Sequence, residues 1–337
     1  MIRKIGLLLF VCLLFCRCQK IFLGGDPPST PVNNFESLWK KIDERYSFFN
    51  YKNIDWNLVH EKYRPRINDS ITDIQLFNVL FEMLAELRDA HINLVSPFNE
   101  SRYEGVFTKS PENYNDLFVK KHYLGDNYFT TGPLKHQLIA SDRVGYIRYS
   151  SFSEEISDAD LDFIIDRFID TNGIIIDVRS NGGGFVTGVL KISSRFTSER
   201  IHIYTSYIKN GPGHEDFAIP NEVYINPASK NFTKKVCILT NRGCYSATSF
   251  FVLAMRNFQN VTIVGDTTGG GLGAPTGAEL PNGWGFRFSS SRTISPEGEN
   301  FEDGIPPDVQ INMIKSDENN GYDTIIEKAI SIILNAN

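Results

Sequence analysis

A serine at the start of a predicted helix is the first residue whose position suggests chemistry. The segment "VCILT" over 236–240 predicts a strand, and "SATSFFVLAMRNF" from Ser246 onward predicts a helix. The N-terminus of a helix carries unpaired N–H groups and a partial positive charge, so a hydroxyl there lies beside donors that can bind an oxyanion. The alternative is that Ser246 only caps the helix, a role that serine often fills.

Two further segments carry residue types that would complete such a site. "DVRSNGGG" over 177–184 ends a predicted strand in three glycines, whose backbone amides can approach a ligand without side chains in the way. "LRDAHINL" places His91 where a predicted helix gives way to a strand. A serine hydroxyl is a weak nucleophile until a base removes its proton, and histidine is the usual base.

These segments and two later ones resemble the C-terminal processing (tail-specific) serine peptidases and the related tricorn core peptidases. The matching stretches, in chain order, are "LRDAHINL", "DVRSNGGG", "LTNRGCYSATSFF", "TIVGDTTGGG" and "FEDGIPPDV". The resemblance covers roughly residues 85 to 310. It implies an α/β fold with a ClpP/crotonase-like core, and hydrolysis of peptide bonds.

The resemblance also implies which residue is the base. In the processing peptidases a lysine in a "GKG" turn serves, whereas the corresponding turn here is "TTGGGLG", with Gly271 at the lysine position. The tricorn-like branch uses a histidine oriented by a glutamate. Resemblance to that branch implies that Ser246 attacks, His91 takes and returns the proton, and Glu302 orients the imidazole.

The same resemblance implies that the backbone N–H groups of Gly183 and Ala247 hold the oxyanion. We interpret Asp89, Asp177 and Asp308 as structural residues that support turns. The remaining cysteines beyond the N-terminal segment, at positions 237 and 244, form no disulfide framework or CxxC pattern, and we interpret them as buried, inert thiols.

Two departures from the family pattern bear on function. Ala90 precedes His91, where the tricorn-like branch often has a serine or threonine in its proton network. A catalytically inactive peptide- or ligand-binding protein on the same fold therefore stays open as a second interpretation. Only about 50 residues separate His91 from the core strand at Gly145, too few for a PDZ domain.

Other functional classes fit less well. The formal net charge of −6 argues against nucleic acid and anionic membrane surfaces as partners. "TTGGGLGAP" has a G-x-G-x-x-A spacing, but Pro275 follows at once and no helix pattern begins there. No HExxH or clustered ligand spacing suggests a metal. We therefore expect neither a cofactor nor a metal, and a peptide or unfolded protein as substrate.

The N-terminus has the pattern of an export signal. "MIRKIGLLLFVCLLFC" places Arg3 and Lys4 before a short apolar run, which is too short for a typical membrane span. We predict a signal peptide over 1–18, with lipidation at Cys18 in preference to Cys16, and a linker over 19–33. The protein is then expected in the periplasm or at the outer membrane, in contact with a membrane only through the lipid.

The elements that position these residues follow from periodicity. Apolar residues at helical spacing predict a small helical subdomain over 34–90, with three helices: one capped by Asn34, a second ended by Pro65 and a third opened by Thr72 and Gln75 in capping-box spacing. Strands that alternate with helices over 91–337 predict the peptidase core, built on a largely parallel and buried sheet.

Overall fold

The computed structural model of the chain describes residues 27–108 and 110–335. The predicted signal peptide, Cys16, Cys18 and most of the predicted linker lie outside the described residues, so these remain predictions. Among the residues that the structure describes, no helix is long and apolar enough to cross a membrane.

The N-terminal part is helical, as the periodicity predicts. It contains α1 (Pro31–Arg45), α2 (Phe49–Lys52), α3 (Trp56–Tyr63), a 3₁₀ turn (Arg64–Arg66) and α4 (Asp73–Ala85). The capping box of Thr72 and Gln75 is confirmed. The predicted Asn34 cap is wrong, because Thr30 caps α1 one turn earlier and Pro31 fills the first helical position.

The rest of the chain alternates between strands and helices. Its strands are β1 (Asn93–Val95), β2 (Glu100–Arg102), β3 (Phe129–Thr131), β4 (Leu134–Ile139), β5 (Val144–Tyr149), β6 (Gly173–Asp177), β7 (Ile201–Ile208), β8 (Asn221–Ile225), β9 (Lys235–Thr240), β10 (Val261–Gly265), β11 (Pro275–Glu279), β12 (Gly285–Ser289), β13 (Ser291–Ile294) and β14 (Val309–Gln310). Its helices are α5 (Asp116–Val119), followed by a π-helical turn (Lys120–Leu124), α6 (Asp158–Phe168), α7 (Val186–Ser193), followed by a 3₁₀ turn (Ser194–Phe196), α8 (Ala247–Met255), α9 (Lys315–Asn319) and α10 (Thr324–Leu334).

A seven-stranded sheet forms the centre of this part, in the order β14-β10-β9-β6-β5-β4-β3. Strands β5, β6, β9, β10 and β14 are parallel, and β4 and β3 continue the sheet antiparallel. Helices α6, α7 and α8 pack on one face and α10 packs on the other. Both faces are covered, which explains why every residue of β6 is buried and confirms the predicted parallel sheet.

A second, four-stranded antiparallel sheet has the order β11-β12-β1-β2. One of its faces packs against the N-terminal helices, since Leu94 of β1 and Phe286 and Phe288 of β12 belong to the same buried cluster as α1 and α4. The helical part therefore shares its core with strands from both ends of the chain. The remaining sheet has three strands, in the order β13-β7-β8.

The parallel order brings the two predicted site loops together. Strand β6 pairs with β9 in register from Gly173 to Asp177, so their carboxyl ends meet at one edge of the sheet. The glycine turn leaves the end of β6, and the turn to Ser246 leaves the end of β9. The four-stranded sheet brings His91, just before β1, to the same edge.

Candidate active site

The turn that carries Ser246 is strained. Ser246 has φ of 57° and ψ of −122°, and its side chain makes no capping bond to α8. A non-glycine residue in such a conformation persists only where its surroundings enforce it. Here the Ser246 N–H donates to the carbonyl of Gly270 at 3.0 Å. The hydroxyl does not serve as a helix cap, and a sharp strand-to-helix turn of this kind presents a nucleophile.

The Ser246 hydroxyl lies beside His91. The distance from His91 Nε2 to Ser246 Oγ is 2.9 Å, across a separation of 155 residues. The imidazole is 6% exposed, and its ring centroid lies 4.9 Å from that of Tyr245. The predicted pair is thus within the distance that proton transfer between a serine and its base requires.

Asp89 fixes the backbone of His91. Its Oδ1 accepts the His91 N–H at 2.8 Å and the Tyr245 hydroxyl at 3.3 Å, and its Oδ2 accepts the Ser289 hydroxyl at 2.8 Å. The same Oδ1 lies 4.0 Å from His91 Nδ1. Nδ1 is buried and has no hydrogen-bond partner among the described residues. Asp89 therefore does more than support a turn, because it places a negative charge next to the imidazole.

Burial keeps this imidazole neutral. Desolvation, together with the positive charges of Arg287 and Arg102, lowers the pKa of His91 to about 4, against the opposing effect of Asp89. Since this pKa lies well below neutrality, the imidazole is unprotonated at pH 7 and can accept a proton from serine.

Glu302 lies in the same buried region but interacts with different groups from Asp89. Its Oε2 accepts the backbone N–H groups of Leu272 and Gly273 at 2.7 and 3.0 Å, and its Oε1 lies 4.0 Å from Lys52 Nζ. Within the described part of the chain, no hydrogen bond joins Glu302 to His91. The orienting contact between Glu302 and His91 therefore stays a prediction. The carboxylate that lies 4.0 Å from His91 Nδ1 is that of Asp89.

The charge on this second carboxyl group is disfavoured. Burial raises the pKa of Glu302 well above its usual value, and the nearby charge of Asp89 raises it further, whereas Lys52 opposes the rise. The pKa of Asp89 is lowered despite its burial, because Lys52 and His91 favour its ionised form. Two carboxyl groups whose charges oppose one another ionise unequally, and Asp89 is the one whose charge is favoured.

The predicted oxyanion donors differ in their availability. The Ala247 N–H has no acceptor among the described residues, as befits the first residue of a helix. The Gly183 N–H donates to Asn181 Oδ1 at 2.9 Å. A Cβ on Gly183 would lie 2.9 Å from both Ala247 N and Ser246 Cβ, so only glycine allows this turn to approach the serine.

The missing lysine has a steric explanation. Gly271 has a φ of 76°, and a Cβ at this position would lie 2.4 Å from the ring of Tyr245. Its N–H donates to the Glu302 carbonyl at 2.9 Å. The Tyr245 ring, which also contacts His91, occupies the space that a side chain at position 271 would need.

Both cysteines are buried, as predicted. The thiol of Cys244 donates to the Val178 carbonyl at 3.0 Å, and burial raises its pKa to about 12. Burial likewise raises the pKa of Cys237 to about 12. Neither forms a thiolate near neutral pH, so Cys244 does not compete with Ser246 as a nucleophile. Asp177 and Asp308 also have structural partners, Arg179 and the Ile263 N–H.

A cleft of about 480 Å³ opens in front of the serine. Its walls include Ser246, His91, the three glycines of the turn, and two arginines, Arg102 and Arg287. Sequence reasoning missed both arginines and Tyr245. The only local signal for Arg287 was its place between two phenylalanines in "GFRFS", which marks an outward position on a half-buried strand.

The family of the chain follows from comparison with known proteins. Residues 143–311 match the model of peptidase family S41, and residues 27–85 match that of the tricorn protease C1 domain. The chain belongs to peptidase family S41. Its class is therefore that of the serine-type peptidases, which are hydrolases.

Individual relatives agree with this assignment. A candidate peptidase from Parabacteroides merdae, known from its crystal structure, is 41% identical, with 91% of this chain and 98% of that chain covered and a TM-score of 0.88. The carboxy-terminal processing protease CtpA of Bacillus subtilis is 27% identical over 177 residues, 51% of this chain and 36% of its own length. The chain thus spans about a third of that curated relative.

More distant structures share the fold alone. Mature CPAF is 12% identical, with a TM-score of 0.67 over 90% of this chain and 96% of that chain. Together these similarities confirm the predicted fold class, an α/β core with a small helical part at the N-terminus.

Two glycine substitutions test the packing behind the serine. We expect Gly271→Ala to lower the free energy of unfolding by about 2–5 kcal/mol, because it adds a clash with Tyr245 to the strain of a positive φ. Gly283→Ala is the control, since its φ is 83° with open space around its Cβ, and should cost only about 1–2 kcal/mol. Denaturant unfolding measures both. Equal losses would contradict the role of Gly271 in making room for Tyr245.

Proposed function

We propose that this chain is an exported serine endopeptidase that acts through an acyl-enzyme on Ser246. The observation that carries the proposal is the 2.9 Å contact between His91 Nε2 and Ser246 Oγ, at a strained turn beside an unpaired N–H group. Membership of family S41 supports the same reaction class. The similarity to the carboxy-terminal processing protease of Bacillus subtilis suggests processing near the carboxyl terminus of a substrate chain.

The reaction would proceed in two proton-coupled steps. His91 takes the hydroxyl proton as Ser246 Oγ bonds to the scissile carbonyl carbon, and then gives that proton to the leaving amine. Water then attacks the acyl carbon as the same imidazole takes its proton, and His91 returns that proton to Ser246 Oγ as the ester bond breaks. The Ala247 N–H is free to hold the oxyanion, and Gly183 joins it once its N–H exchanges Asn181 Oδ1 for the substrate oxygen.

A carboxylate should stabilise the imidazolium that forms during this transfer. The family resemblance assigns that role to Glu302, whereas Asp89 lies 4.0 Å from Nδ1 and retains its charge. We propose that Asp89 supplies the charge. Glu302 then holds the turn at Leu272 and Gly273, and with it the position of the surrounding loops. A network of this kind does not need the serine or threonine that Ala90 replaces.

The surroundings of the site suit a peptide substrate. The cleft is open to solvent and its walls are mainly polar. We propose peptides or unfolded proteins as substrates, with no nucleic acid partner and no need for a metal or cofactor. We further propose a periplasmic or outer-membrane location, with a lipid on Cys18, or on Cys16 if the signal is cut earlier.

Covalent labelling tests the nucleophile. A fluorophosphonate probe should label the wild-type protein, and Ser246→Ala should lose the label and at least about 10³-fold in peptide hydrolysis. His91→Ala should lose comparable activity because the serine then lacks its base. Ser249→Ala is the matched control and should keep the label, since the buried Ser249 hydroxyl donates to the Cys244 carbonyl and the Thr268 hydroxyl and not to His91 in the described structure. No labelling of the folded wild type would favour the inactive binding protein instead.

Isosteric substitutions distinguish the roles of the carboxyl groups of Asp89 and Glu302. We expect Asp89→Asn to lower kcat by about 10²-fold or more, because the imidazolium loses its nearest negative charge. Glu302→Gln should lower kcat less, because an amide oxygen can still accept the two N–H groups of the turn and the raised pKa of Glu302 already disfavours its charge. Single-turnover kinetics and thermal unfolding of both variants check this. The opposite ranking would restore Glu302 as the residue that orients His91.

The pH profile reports the state of His91. Because its pKa is lowered to about 4, kcat/KM should stay level from pH 7 to about 5 and fall as pH drops through about 4, where the protonated imidazole no longer accepts a proton. A peptide without ionisable groups avoids titration of the substrate, and circular dichroism at each pH confirms that the protein is folded. A midpoint near the ordinary histidine value of about 6.5 would contradict the buried, neutral base.

A further inference from the structure

The four-stranded sheet presents two different faces. Along β12, Phe286 and Phe288 are buried against the helical part, whereas Arg287 between them is exposed. Strand β2 alternates likewise, with Ser101 buried and Arg102 exposed. Because side chains alternate along a strand, both arginines belong to the face that the helices leave uncovered.

The register of the sheet sets these arginines side by side. Asn93 of β1 pairs with Arg287 on one side and with Arg102 on the other. Since neighbouring strands lie about 5 Å apart, the two arginine backbones are about 10 Å apart, within reach of one another's guanidinium groups. All three residues line the cleft that contains Ser246.

Neither guanidinium has a hydrogen-bonded or ion-paired partner in the described part of the chain. Among the described residues, no carboxylate lies within 4.0 Å of Arg102 or Arg287, and the Arg102 guanidinium lies 5.8 Å from the centroid of the Phe107 ring. Other arginines are paired, such as Arg179 with two aspartates and Arg292 with Glu215. Glu100 also lines the cleft, yet it forms an ion pair with neither arginine.

We propose that Arg102 and Arg287 bind a carboxylate of the peptide substrate and so set where the chain lies relative to Ser246. This rests on the proposed peptidase function. Guanidinium groups bind carboxylates through paired, charge-assisted hydrogen bonds, and two of them flanking Asn93 form a site for one such group. The carboxylate is either the free C-terminus of the chain or an aspartate or glutamate side chain. The experiment below distinguishes these sources.

The position of the arginines in the cleft links them to the chemistry. Both lie close enough to His91 for their charges to disfavour its protonation. A bound carboxylate would neutralise part of that positive field. Substrates that carry the carboxylate should therefore bind more tightly, and His91 should be a stronger base in their complexes. An uncharged analogue gains neither effect.

Kinetics on matched peptides test the proposal. One set of fluorogenic peptides shares a scissile sequence and varies a single feature: a C-terminal acid against its amide, or an internal aspartate against asparagine. For the wild type, kcat/KM should be about tenfold or more higher for the acid of at least one pair. In Arg102→Gln with Arg287→Gln this ratio should approach one, and the pair that responds identifies the source of the carboxylate. Arg143→Gln, an exposed arginine before β5, is the control and should keep the wild-type ratio.

A binding measurement separates this inference from the proposed reaction. Fluorescence anisotropy of the same peptides, without cleavage, uses Ser246→Ala protein with and without the two arginine substitutions. Tighter binding of the acid that disappears in the double variant supports the site even if the wild type hydrolyses nothing. Equal binding of acid and amide, or an acid preference that survives the loss of both arginines, overturns it. Glu100→Gln should strengthen the acid preference, because it removes a competing negative charge from the cleft.

Discussion

The hydrogen bond between His91 and Ser246 depends on the relative position of two separate hydrophobic cores. His91 belongs to the end of the helical part and its four-stranded sheet, and Ser246 to the parallel sheet, so the contact spans 155 residues. The β11–β12 hairpin joins the two, since it leaves the parallel sheet and pairs with β1. A displacement of about 1 Å between reacting groups can cost about 10²-fold in rate. The N-terminal helices thus help to fix the position of His91 relative to Ser246.

The strained turn at Ser246 explains the distribution of glycines around it. The turn is held from one side by the carbonyl of Gly270 and from the other by close packing of Gly183. Gly271 leaves room for the Tyr245 ring, which in turn contacts His91 and donates to Asp89. A lysine base would need the space that this tyrosine fills. The imidazole beside Ser246 and the glycine at position 271 therefore belong to one packing arrangement around Tyr245.

Local patterns predicted the parts of the fold that are encoded locally. The capping box at Thr72, the buried strands β6 and β9 and the turn to Ser246 follow from periodicity and helix caps within a few residues. The four-stranded sheet could not be predicted in this way, because β1 and β2 have three residues each and β1 pairs with β12 far along the chain. For the same reason, three features of the site are visible only in the tertiary structure. They are the hydrogen bonds from the Leu272 and Gly273 N–H groups to Glu302, the position of Asp89 beside His91, and the two arginines of the cleft.

The charges around His91 lower its pKa, and a bound substrate with a carboxylate would reduce that effect. A general base works best when its pKa lies near the operating pH. Burial and the charges of two arginines, however, keep the pKa of the His91 imidazole at about 4. The charge of Asp89 offsets only part of that effect, since the pKa of His91 stays at about 4 despite it. A substrate carboxylate between Arg102 and Arg287 would remove positive potential from the cleft and raise the basicity of His91 when the substrate is in place. On this proposal, the binding of a substrate carboxylate also raises the pKa of His91. A neutral peptide would leave that pKa low and would react more slowly.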